Sequence, residues 1–515
     1  MKLTLLADGF AAELAGESDT EKLMRDLAAA LRPGDVVALS GDLGAGKTTF
    51  ARALIRHLAN NPDEEAPSPT FTLMQAYELP PFPLLHLDLY RVADPAELIE
   101  LGFEDRDERA VVLMEWPERG GDLLPADRFE IALQLAAGRG ADHRDARLVG
   151  HGAFAERARR IGLIRDLLDR SGFTEAKRSP LAGDASTRAY ERLLRPGAAK
   201  PFDAVLMNAP RRPDGPPVKN GKPYSAIARL AEDVAPFIGM ARGLHARGFS
   251  APEIHAADLD NGLLILEDLG DGSVVAGAPP APLPPCYMAA TEMLAALHGM
   301  DLPDRLPVAP GIDHVIPPYD LDAMLIEVEL LPAWYLSHAG IALPQAALDA
   351  FFAAWREALQ PLLDAPKTWV LRDFHSPNIV WLPAREGVRK VGLLDFQDAV
   401  MGPAAYDVAS LAQDARVDVP EAMEAALLGA YVASRRRADP AFDAALFAQH
   451  YATMAAQRAT KILGIFARLD RRDGKPQYLR HLPRIQDYLR RALAHPALAP
   501  LADWHAAHLP GILRR

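Results

Sequence analysis

The sequence has few of the features that mark secreted or membrane proteins. Cys286 is its single cysteine, which excludes an intramolecular disulfide and a cysteine-based zinc cluster and agrees with a reducing compartment. No apolar run is long enough to span a bilayer. The start of the chain has one lysine and a very short apolar run before acidic residues appear, so no signal peptide is predicted. We expect a cytoplasmic protein of roughly two to four domains.

Negative charge is concentrated near the start of the chain. The formal net charge is −13, of which residues 1–150 carry −12 and residues 151–515 carry −1. An acidic surface repels phosphate backbones, so we predict no direct nucleic-acid binding by the first part of the chain without a partner. Residues 451–515 differ, with a net charge of +8. They form either a solvated helix face or a site for an acidic substrate or partner.

The first chemical motif is a complete G-x-x-x-x-G-K-T. It follows a strand-like apolar run at 36–40 and opens a helical pattern over 47–59, which is the context that this motif requires. Glycines let backbone N–H groups close around phosphates, and the lysine reaches the terminal phosphates. The Thr48 hydroxyl can also bind Mg²⁺. The predicted nucleotide-binding residues are Gly41, Gly44, Gly46, Lys47, Thr48 and Thr49.

Two acidic residues are candidates for the rest of this site. A P-loop hydrolase needs a carboxylate for its metal ion and a group that orients water. Asp88 and Glu115 each follow an apolar, strand-like run. The carboxyl ends of such strands lie beside the phosphate loop in an α/β sheet, so we predict both acids as Mg²⁺ ligands and catalytic groups. Taken alone, either acid would be no more than the solvated end of a strand.

Four further motifs follow the phosphate loop in order, namely PSPTFTL (67–73), HLDLYR (86–91), ELIELGFED (97–105) and VVLMEWPERG (111–120). Together they resemble the TsaE family, the ATPase subunit of bacterial tRNA threonylcarbamoyladenosine synthesis, over about residues 15–150. The resemblance implies ATP hydrolysis that acts on partner proteins of that synthesis complex, which carry the tRNA. It places the Mg²⁺-binding and catalytic acids at Asp88 and Glu115. It also places Thr70 and Trp116 near the nucleotide or the partner surface.

A kinase-like set of polar residues lies in the second half of the chain. The segment LRDFHSPN holds Asp373 and Asn378 at the Asp-x4-Asn spacing of a kinase catalytic loop. Asp395 ends an apolar run seventeen residues after Asn378, where kinases place a metal-binding aspartate. We predict that Asp373 orients the acceptor hydroxyl and accepts its proton, and that Asn378 and Asp395 hold Mg²⁺. Either the Asp-x4-Asn segment or the aspartate after the apolar run, taken alone, would usually be no more than polar residues at the protein surface.

Two upstream segments complete the predicted ATP site. GDASTRAY (183–190) stands where a phosphate-covering hairpin is expected, and LILEDLG (264–270), which contains Glu267, stands where a hinge between two lobes is expected. The chain has no G-x-G-x-x-G and no V-A-I-K lysine, since Met207 occupies the corresponding strand. Arg188 is the candidate phosphate clamp, against the alternative of a plain surface arginine.

These segments, with GPAAYDVASLAQDAR and QRATKILGIFARL, resemble the aminoglycoside phosphotransferase superfamily over about residues 155–510. Within it they are similar to the anomeric amino-sugar kinases, which phosphorylate N-acetylmuramate and N-acetylglucosamine at C1 in cell-wall recycling. The resemblance implies an ATP- and Mg²⁺-dependent kinase of an amino sugar. Leu371 and Arg372 replace the histidine-glycine usual before the catalytic aspartate, which argues against a typical aminoglycoside-resistance enzyme. Asp407 lies near the catalytic core or forms a structural cap.

The predicted architecture is an α/β P-loop NTPase domain followed by an α+β, protein-kinase-like domain of two lobes. The predicted boundaries are 1–152 for the ATPase and 153–515 for the kinase, with a small lobe over about 153–268 and a large lobe over about 271–515. A proline-rich loop is predicted at 211–223. For the second domain, a kinase of choline, homoserine or an aminoglycoside and a pseudokinase scaffold stay open. For the first, a free-standing P-loop kinase would need an acceptor pocket.

Overall fold

The chain folds into two compact units. The first contains Met1–Ala182 and Glu191–Pro201, and the second contains Gly183–Tyr190 and Phe202–Arg515. This division differs from the boundary expected at 152/153, so the assignment of the intervening residues to the kinase domain stays a prediction. The structure is a computed structural model that describes residues 1–94, 96–100, 102–136, 138–140, 142–181, 188–197 and 204–513.

The first unit alternates strands with helices along much of its length. Its strands are β1 (Lys2–Leu5), β2 (Gly9–Leu14), β3 (Val36–Ser40), β4 (Met74–Tyr77), β5 (Leu84–Asp88), β6 (Val111–Glu115), β7 (Arg128–Leu135) and β8 (Arg144–His151). Its helices are α1 (Glu17–Ala30), α2 (Lys47–Ala59), α3 (Ala96–Glu100) and α4 (Ala155–Arg170). Two more strands follow in the chain, β9 (Lys177–Leu181) in this unit and β10 (Ala189–Leu194), whose first two residues belong to the second unit.

Eight of the described strands form one mixed sheet in the order β1-β2-β8-β7-β3-β6-β5-β4. Its centre is parallel, because β3 pairs with β6 and β7, and β5 pairs with β6. The outer pairs are antiparallel. Parallel strands are covered on both faces and therefore have continuous apolar sequences. This explains why the sequence predicts β3 with the bounds that the structure shows.

Apolar side chains cover both faces of this sheet. Successive residues of a strand point to opposite faces. Val37 of β3 accordingly joins the apolar cluster that contains Phe50 of α2. Val36 joins a second cluster with Leu87 and Met114. With both faces buried, the carboxyl ends of β3, β5 and β6 lie together at one edge of the sheet.

Helix α4 is part of the core of the first unit. Ala158 and Ile161 belong to the same apolar cluster as Phe10. Arg165 also forms a two-pronged ion pair with Asp26, with Nε 2.6 Å from Oδ2 and Nη2 2.7 Å from Oδ1. Both side chains are buried. Loss of one partner from a buried ion pair is strongly destabilising, so α4 contributes to the stability of the first unit.

We expect the fragment 1–152 to melt at a lower temperature than the fragment 1–201, because the shorter one lacks α4. Thermal unfolding followed by circular dichroism measures the difference. In the longer fragment, Arg165→Ala should lower the melting temperature by several degrees. The control Arg170→Ala should change it little, because the ion pair of Arg170 with Asp166 is about half exposed. Equal melting temperatures of the two fragments would instead support the boundary at 152/153.

The second unit begins with short strands and becomes mostly helical. Its remaining strands are β11 (Ala204–Asn208), β12 (Pro217–Lys219), β13 (Lys222–Pro223), β14 (Ile254–Asp258), β15 (Leu263–Glu267), β16 (Val275–Ala276), β17 (Ala281–Pro282), β18 (Arg305–Ala309), β19 (Ile312–Val315), β20 (Lys367–Val370), β21 (Ile379–Trp381), β22 (Val391–Leu393) and β23 (Val400–Pro403). Its helices are α5 (Tyr224–Ala228), α6 (Ala235–His245), α7 (Pro284–Leu297), α8 (Leu321–Val328), α9 (Leu336–His338), α10 (Gln345–Leu363), α11 (Ala405–Ala412), α12 (Glu421–Ala438), α13 (Ala444–Asp473), α14 (Leu482–Leu493), α15 (Ala499–His508) and α16 (Pro510–Leu513).

Strand pairing in the second unit brings two loops together. β15 pairs antiparallel with β11 and β14 near the start of the unit. Further on, β20 pairs with β23, and β21 pairs with β22. The segment 371–378 connects β20 to β21, and the segment 394–399 connects β22 to β23. The two pairings therefore place the predicted catalytic loop beside the loop that carries Asp395.

The predicted proline-rich loop contains a short hairpin, which corrects the expectation of an irregular segment. β12 and β13 pair antiparallel on either side of Asn220 and Gly221. These two residues have φ angles of 51° and 72°. A two-residue hairpin turn needs positive φ at both positions, and Asn-Gly is its preferred sequence. The hairpin signal is thus present in the sequence among the prolines.

Candidate functional sites

The phosphate loop connects β3 to α2, and its glycines have conformations that other residues avoid. Gly41, Gly44 and Gly46 have φ angles of 136°, 81° and 106°. A Cβ on Gly41 would also lie 2.2 Å from the carbonyl oxygen of Leu133. Thr49 is exposed in the first turn of α2. The loop therefore leads directly into a helix N-terminus, where backbone N–H groups can bind phosphate.

Lys47 lies across this loop and beneath an aromatic ring. Its Nζ donates to the carbonyl oxygens of Gly41 at 2.7 Å and Asp42 at 3.0 Å. It also lies 3.5 Å from the ring centroid of Trp116. Burial lowers the pKa of Lys47. Trp116 directly follows β6 and has a φ of 59°, in the left-handed region.

Glu115 connects the phosphate loop to the central strands. Its Oε2 accepts from Thr48 Oγ1 at 2.8 Å, and its Oε1 lies 3.0 Å from His86 Nε2. Glu115 and His86 are both buried. Asp88 is its direct neighbour in the parallel register of β5 and β6. The structure therefore brings both predicted acids to one edge of the sheet, and it adds His86, which the sequence analysis did not select.

Asp88 is held by two hydroxyls from the preceding loop. Its Oδ2 accepts from Ser68 Oγ and from Thr70 Oγ1, each at 2.6 Å. Its Oδ1 accepts from the backbone N–H of Tyr90 at 3.0 Å. Thr70, predicted near the nucleotide or partner surface, thus binds a predicted metal ligand. Ser68 was missed, although it belongs to the same short motif.

The predicted metal-binding side chains of both units offer oxygen atoms, which are the ligands that Mg²⁺ prefers. The Thr48 hydroxyl, Asp88 and Glu115 would hold it in the first unit, and Asn378 and Asp395 would hold it in the second. Within the described ranges, no three His, Cys, Asp or Glu side chains are grouped to hold a metal. Mg²⁺ usually takes one or two carboxylates and completes its shell with water and phosphate oxygens.

In the second unit, Asp407 fixes the start of the catalytic loop. Its carboxylate accepts from the backbone N–H of Leu371 at 2.6 Å and from that of Arg372 at 2.9 Å. Asp407 is fully buried. Arg372 has a φ of 67°, a strained conformation for a non-glycine residue. These bonds are those of a cap, and they position Asp373 as the next residue.

The Arg372 side chain is buried behind the catalytic loop. It forms an ion pair with Glu327 and donates through Nη1 to the carbonyl oxygen of Ala228 at 2.8 Å. Burial raises the pKa of Glu327, but Lys461 and Arg372 lower it to about 2 overall. Glu327 is therefore ionised at neutral pH. Arg372, which replaces the usual glycine, thus connects the catalytic loop to α8 and α5.

The predicted metal-binding residues of the second unit lie close together. Asn378 Nδ2 donates to the carbonyl oxygen of Asp373 at 2.9 Å, and the carbonyl of Asn378 accepts from Leu394 N at 2.9 Å. Asp395 has a φ of 56°. Burial and the negative charge of Asp373 raise the pKa of Asp395. Two acids whose charges repel across a small gap form a site that a divalent cation would stabilise.

Arg188 and Glu267 occupy different surroundings. Arg188 Nη1 lies 3.3 Å from Asp395 Oδ1, so it is beside the predicted metal site. Glu267 ends β15, and its Oε1 lies 2.5 Å from Arg385 Nη2. The rest of the predicted phosphate-covering segment, residues 183–187, lies outside the described residues.

The first unit thus has the fold and site of a P-loop nucleotide hydrolase, and the second has those of a kinase-like phosphotransferase. The family described as "Threonylcarbamoyl adenosine biosynthesis protein TsaE" matches residues 14–144, and that described as "Phosphotransferase enzyme family" matches residues 177–446. The chain belongs to the TsaE family through its first part and to the phosphotransferase enzyme family through its second. The predicted fold class and both resemblances are confirmed.

Individual relatives cover the two parts separately. An N-acetylmuramate/N-acetylglucosamine kinase of Caulobacter vibrioides is 39% identical over 68% of this chain and 96% of its own length. A protein with the same description from Pseudomonas aeruginosa is 34% identical over 63% of this chain and 86% of its own length. A tRNA threonylcarbamoyladenosine biosynthesis protein TsaE of Rickettsia felis is 43% identical over 24% of this chain and 71% of its own length. Among the described helices, none is long and apolar enough to cross a membrane.

We expect Lys47→Met to reduce ATP turnover by the first unit about 100-fold or more, because the variant lacks the positive charge that binds the phosphates. Methionine retains an unbranched stem against Trp116. Turnover should be measured without an acceptor in an Asp373→Asn background, so that the second unit does not contribute. Lys2→Met, which removes an exposed lysine, should leave the rate unchanged. Unchanged turnover in the Lys47 variant would contradict the assigned role.

Proposed function

We propose that this is a bifunctional protein. Its first unit hydrolyses ATP in support of partner proteins that synthesise tRNA threonylcarbamoyladenosine. Its second unit transfers the γ-phosphoryl group of ATP to the anomeric hydroxyl of N-acetylmuramate or N-acetylglucosamine. Both activities use Mg²⁺, and both are proposed for the cytoplasm. The amino-sugar assignment has its main support in the kinase relative that is matched over 96% of its own length.

The loop geometry supports a direct transfer in the second unit. The Asp373 carboxylate accepts the proton of the acceptor hydroxyl, the hydroxyl oxygen forms a bond to the γ-phosphorus, and the bond from that phosphorus to the ADP oxygen breaks. Mg²⁺ bound by Asn378 and Asp395 would neutralise charge on the phosphates. Arg188, beside Asp395, is the proposed phosphate clamp in place of the missing lysine. The presence of all these groups argues against a pseudokinase.

The proposed nucleotide contacts continue at the end of β15. We propose that the backbone after Glu267 is the hinge that binds the adenine base. The Glu267 carboxylate pairs with Arg385, so we propose that it orients the hinge. Gly270 N donates to Asp268 Oδ1 at 2.7 Å, which adds a turn after the strand.

In the first unit, we propose that Lys47 and the loop N–H groups bind the phosphates, while Asp88 and Glu115 share metal binding and the orientation of the attacking water. The hydroxyls on Asp88 and the imidazole on Glu115 limit the freedom of both carboxylates. The negative charge of this part of the chain agrees with action on partner proteins rather than on tRNA.

The substrate assignment is tested by ADP release from the purified full chain with N-acetylmuramate, N-acetylglucosamine, choline, homoserine and an aminoglycoside as separate acceptors. Phosphorus NMR of the product then identifies the phosphorylated oxygen. We expect turnover of the amino sugars alone, with the phosphate at C1. Turnover of choline, homoserine or the aminoglycoside instead would identify that compound as the substrate in place of the amino sugars. No turnover of any acceptor would support a scaffold role.

We expect Asp373→Asn to lower kcat by about 10²–10⁴-fold, because the group that accepts the proton is lost while ATP and Mg²⁺ are held elsewhere. The KM for ATP should change little. Asp395→Asn should in addition raise the Mg²⁺ concentration needed for half-maximal rate. Steady-state ADP release over a Mg²⁺ titration measures both effects, and Asp349→Asn on the exposed side of α10 is the control. A folded Asp373→Asn protein with near-normal kcat would exclude this role for Asp373.

A further inference from the structure

One face of helix α13 carries positive charges that the phosphotransfer mechanism does not use. Gln457, Lys461 and Arg468 follow one another at spacings of four and seven residues, so their side chains leave the same side of the helix. Gly464 lies between them. A Cβ at this position would come within 2.3 Å of the Leu330 carbonyl oxygen. This close approach holds the face against the chain that follows α8, the helix that carries Glu327.

Lys461 is the first cation of this face, and it is bound to Glu327. Its Nζ lies 2.7 Å from Glu327 Oε1 and 3.1 Å from Tyr406 Oη. An ammonium group has three N–H donors, and the described residues use two of them. Burial lowers the pKa of Lys461, but Glu327 raises it more, so the group is charged at neutral pH. Because Glu327 also pairs with Arg372, this carboxylate is shared by two cations.

Lys461 lies near the residues that position Asp373, the proposed partner of the acceptor hydroxyl. Arg372, which shares Glu327 with Lys461, immediately precedes Asp373. Tyr406, the other partner of Lys461, precedes the aspartate that caps the catalytic loop. The charge of Asp373 is also among the causes that raise the pKa of Lys461. The ammonium group therefore lies at the flank of the catalytic loop.

Arg468 is the second cation of this face. Its side chain is partly buried, its Nε is buried without a hydrogen-bond partner, and no carboxylate of the described residues forms an ion pair with it. Burial lowers the pKa of Arg468, while a hydrogen bond with Tyr224 and the charge of Asp473 act in the opposite direction. Its Cζ lies 5.6 Å from the ring centroid of Tyr224, the first residue of α5. The last residue of α5, Ala228, accepts a hydrogen bond from Arg372, so α5 connects Arg468 to the catalytic loop.

We propose that Lys461 and Arg468, with the hydroxyl of Tyr224, form a subsite that binds a carboxylate of the acceptor. A partly desolvated guanidinium with no carboxylate in contact is costly, and a ligand carboxylate would compensate that cost. The seven residues from Lys461 to Arg468 span about 10 Å along the helix axis. Burial raises the pKa of Tyr224, while the charges of Lys461 and Arg468 act to lower it, so the Tyr224 hydroxyl lies near both cations and a carboxylate beside it can reach both. The net charge of +8 over residues 451–515 agrees with a site for an acidic substrate.

This inference rests on the proposed amino-sugar kinase activity and refines its substrate class. N-acetylmuramate carries a carboxylate in a lactyl ether, and N-acetylglucosamine is the same sugar without that group. The subsite would therefore favour N-acetylmuramate, and the neutral sugar would bind without using it. The two sugars thus provide a comparison in which only the group bound by the subsite differs.

The test is Arg468→Gln in the full chain, with each sugar as acceptor. We expect kcat/KM for N-acetylmuramate to fall about 10- to 100-fold, mainly through KM, as for a lost charge-assisted hydrogen bond. The value for N-acetylglucosamine should stay within about 2-fold of the unmutated protein. The control Arg471→Gln removes the same charge from an exposed position of α13, where the guanidinium donates to Ser337. It should leave both values unchanged.

A binding measurement separates this inference from the proposed function. Calorimetry should give tighter binding of N-acetylmuramate than of N-acetylglucosamine to the unmutated chain, and Arg468→Gln should remove that difference. Arg468→Lys should restore part of it, and Tyr224→Phe removes the third group of the subsite if Arg468→Gln does not fold. Equal losses for both sugars, or equal affinities in the unmutated chain, would overturn the subsite. If binding discriminates but neither sugar is phosphorylated, the subsite holds and the proposed kinase function fails.

Discussion

The buried ion pair between Arg372 and Glu327 is the interaction on which the phosphotransfer site depends. A guanidinium removed from water must be paired, and Arg372 uses Glu327 and the carbonyl of Ala228 for this purpose. Its backbone is held in a strained conformation by Asp407. Because the next residue is Asp373, the pair and the cap together decide where the proposed catalytic carboxylate lies. Such rigid support is what orientation of an acceptor hydroxyl requires.

The ATPase site of the first unit uses the same principle with different groups. Asp88 and Glu115 are both buried, and each receives hydrogen bonds that compensate for the loss of water. Serine and threonine hydroxyls surround one carboxylate, while Thr48 and His86 contact the other. The parallel register of β5 and β6 is what makes the two acids neighbours. In both units, neighbouring groups therefore hold the carboxylates that are proposed to take part in the reaction.

Much of the fold could be predicted because its central elements have strong local patterns. β3 and α2 have the bounds that periodicity indicates, since buried parallel strands are continuously apolar and the helix follows a phosphate loop. The strands β1 and β2 were not predicted, because β1 has only four residues and is largely exposed, while β2 has the sequence GFAAEL, in which glycine, alanine and glutamate have low strand propensity. Helix α4 was predicted from its own pattern, but its packing in the first unit was not, since its partner Asp26 is 139 residues away from Arg165.

The sequence by itself determined the chemistry of both sites, because the P-loop, the Asp-x4-Asn loop and the acids that end strands are local patterns with fixed spacing. Only the tertiary structure decided which side chains hold these groups in place. Glu327 and Arg372 are 45 residues apart, and Ser68 and Asp88 are 20 residues apart. The physical reason is that the interaction energy of two charges depends on their distance in space and on their burial. Neither quantity can be read from the sequence around either residue.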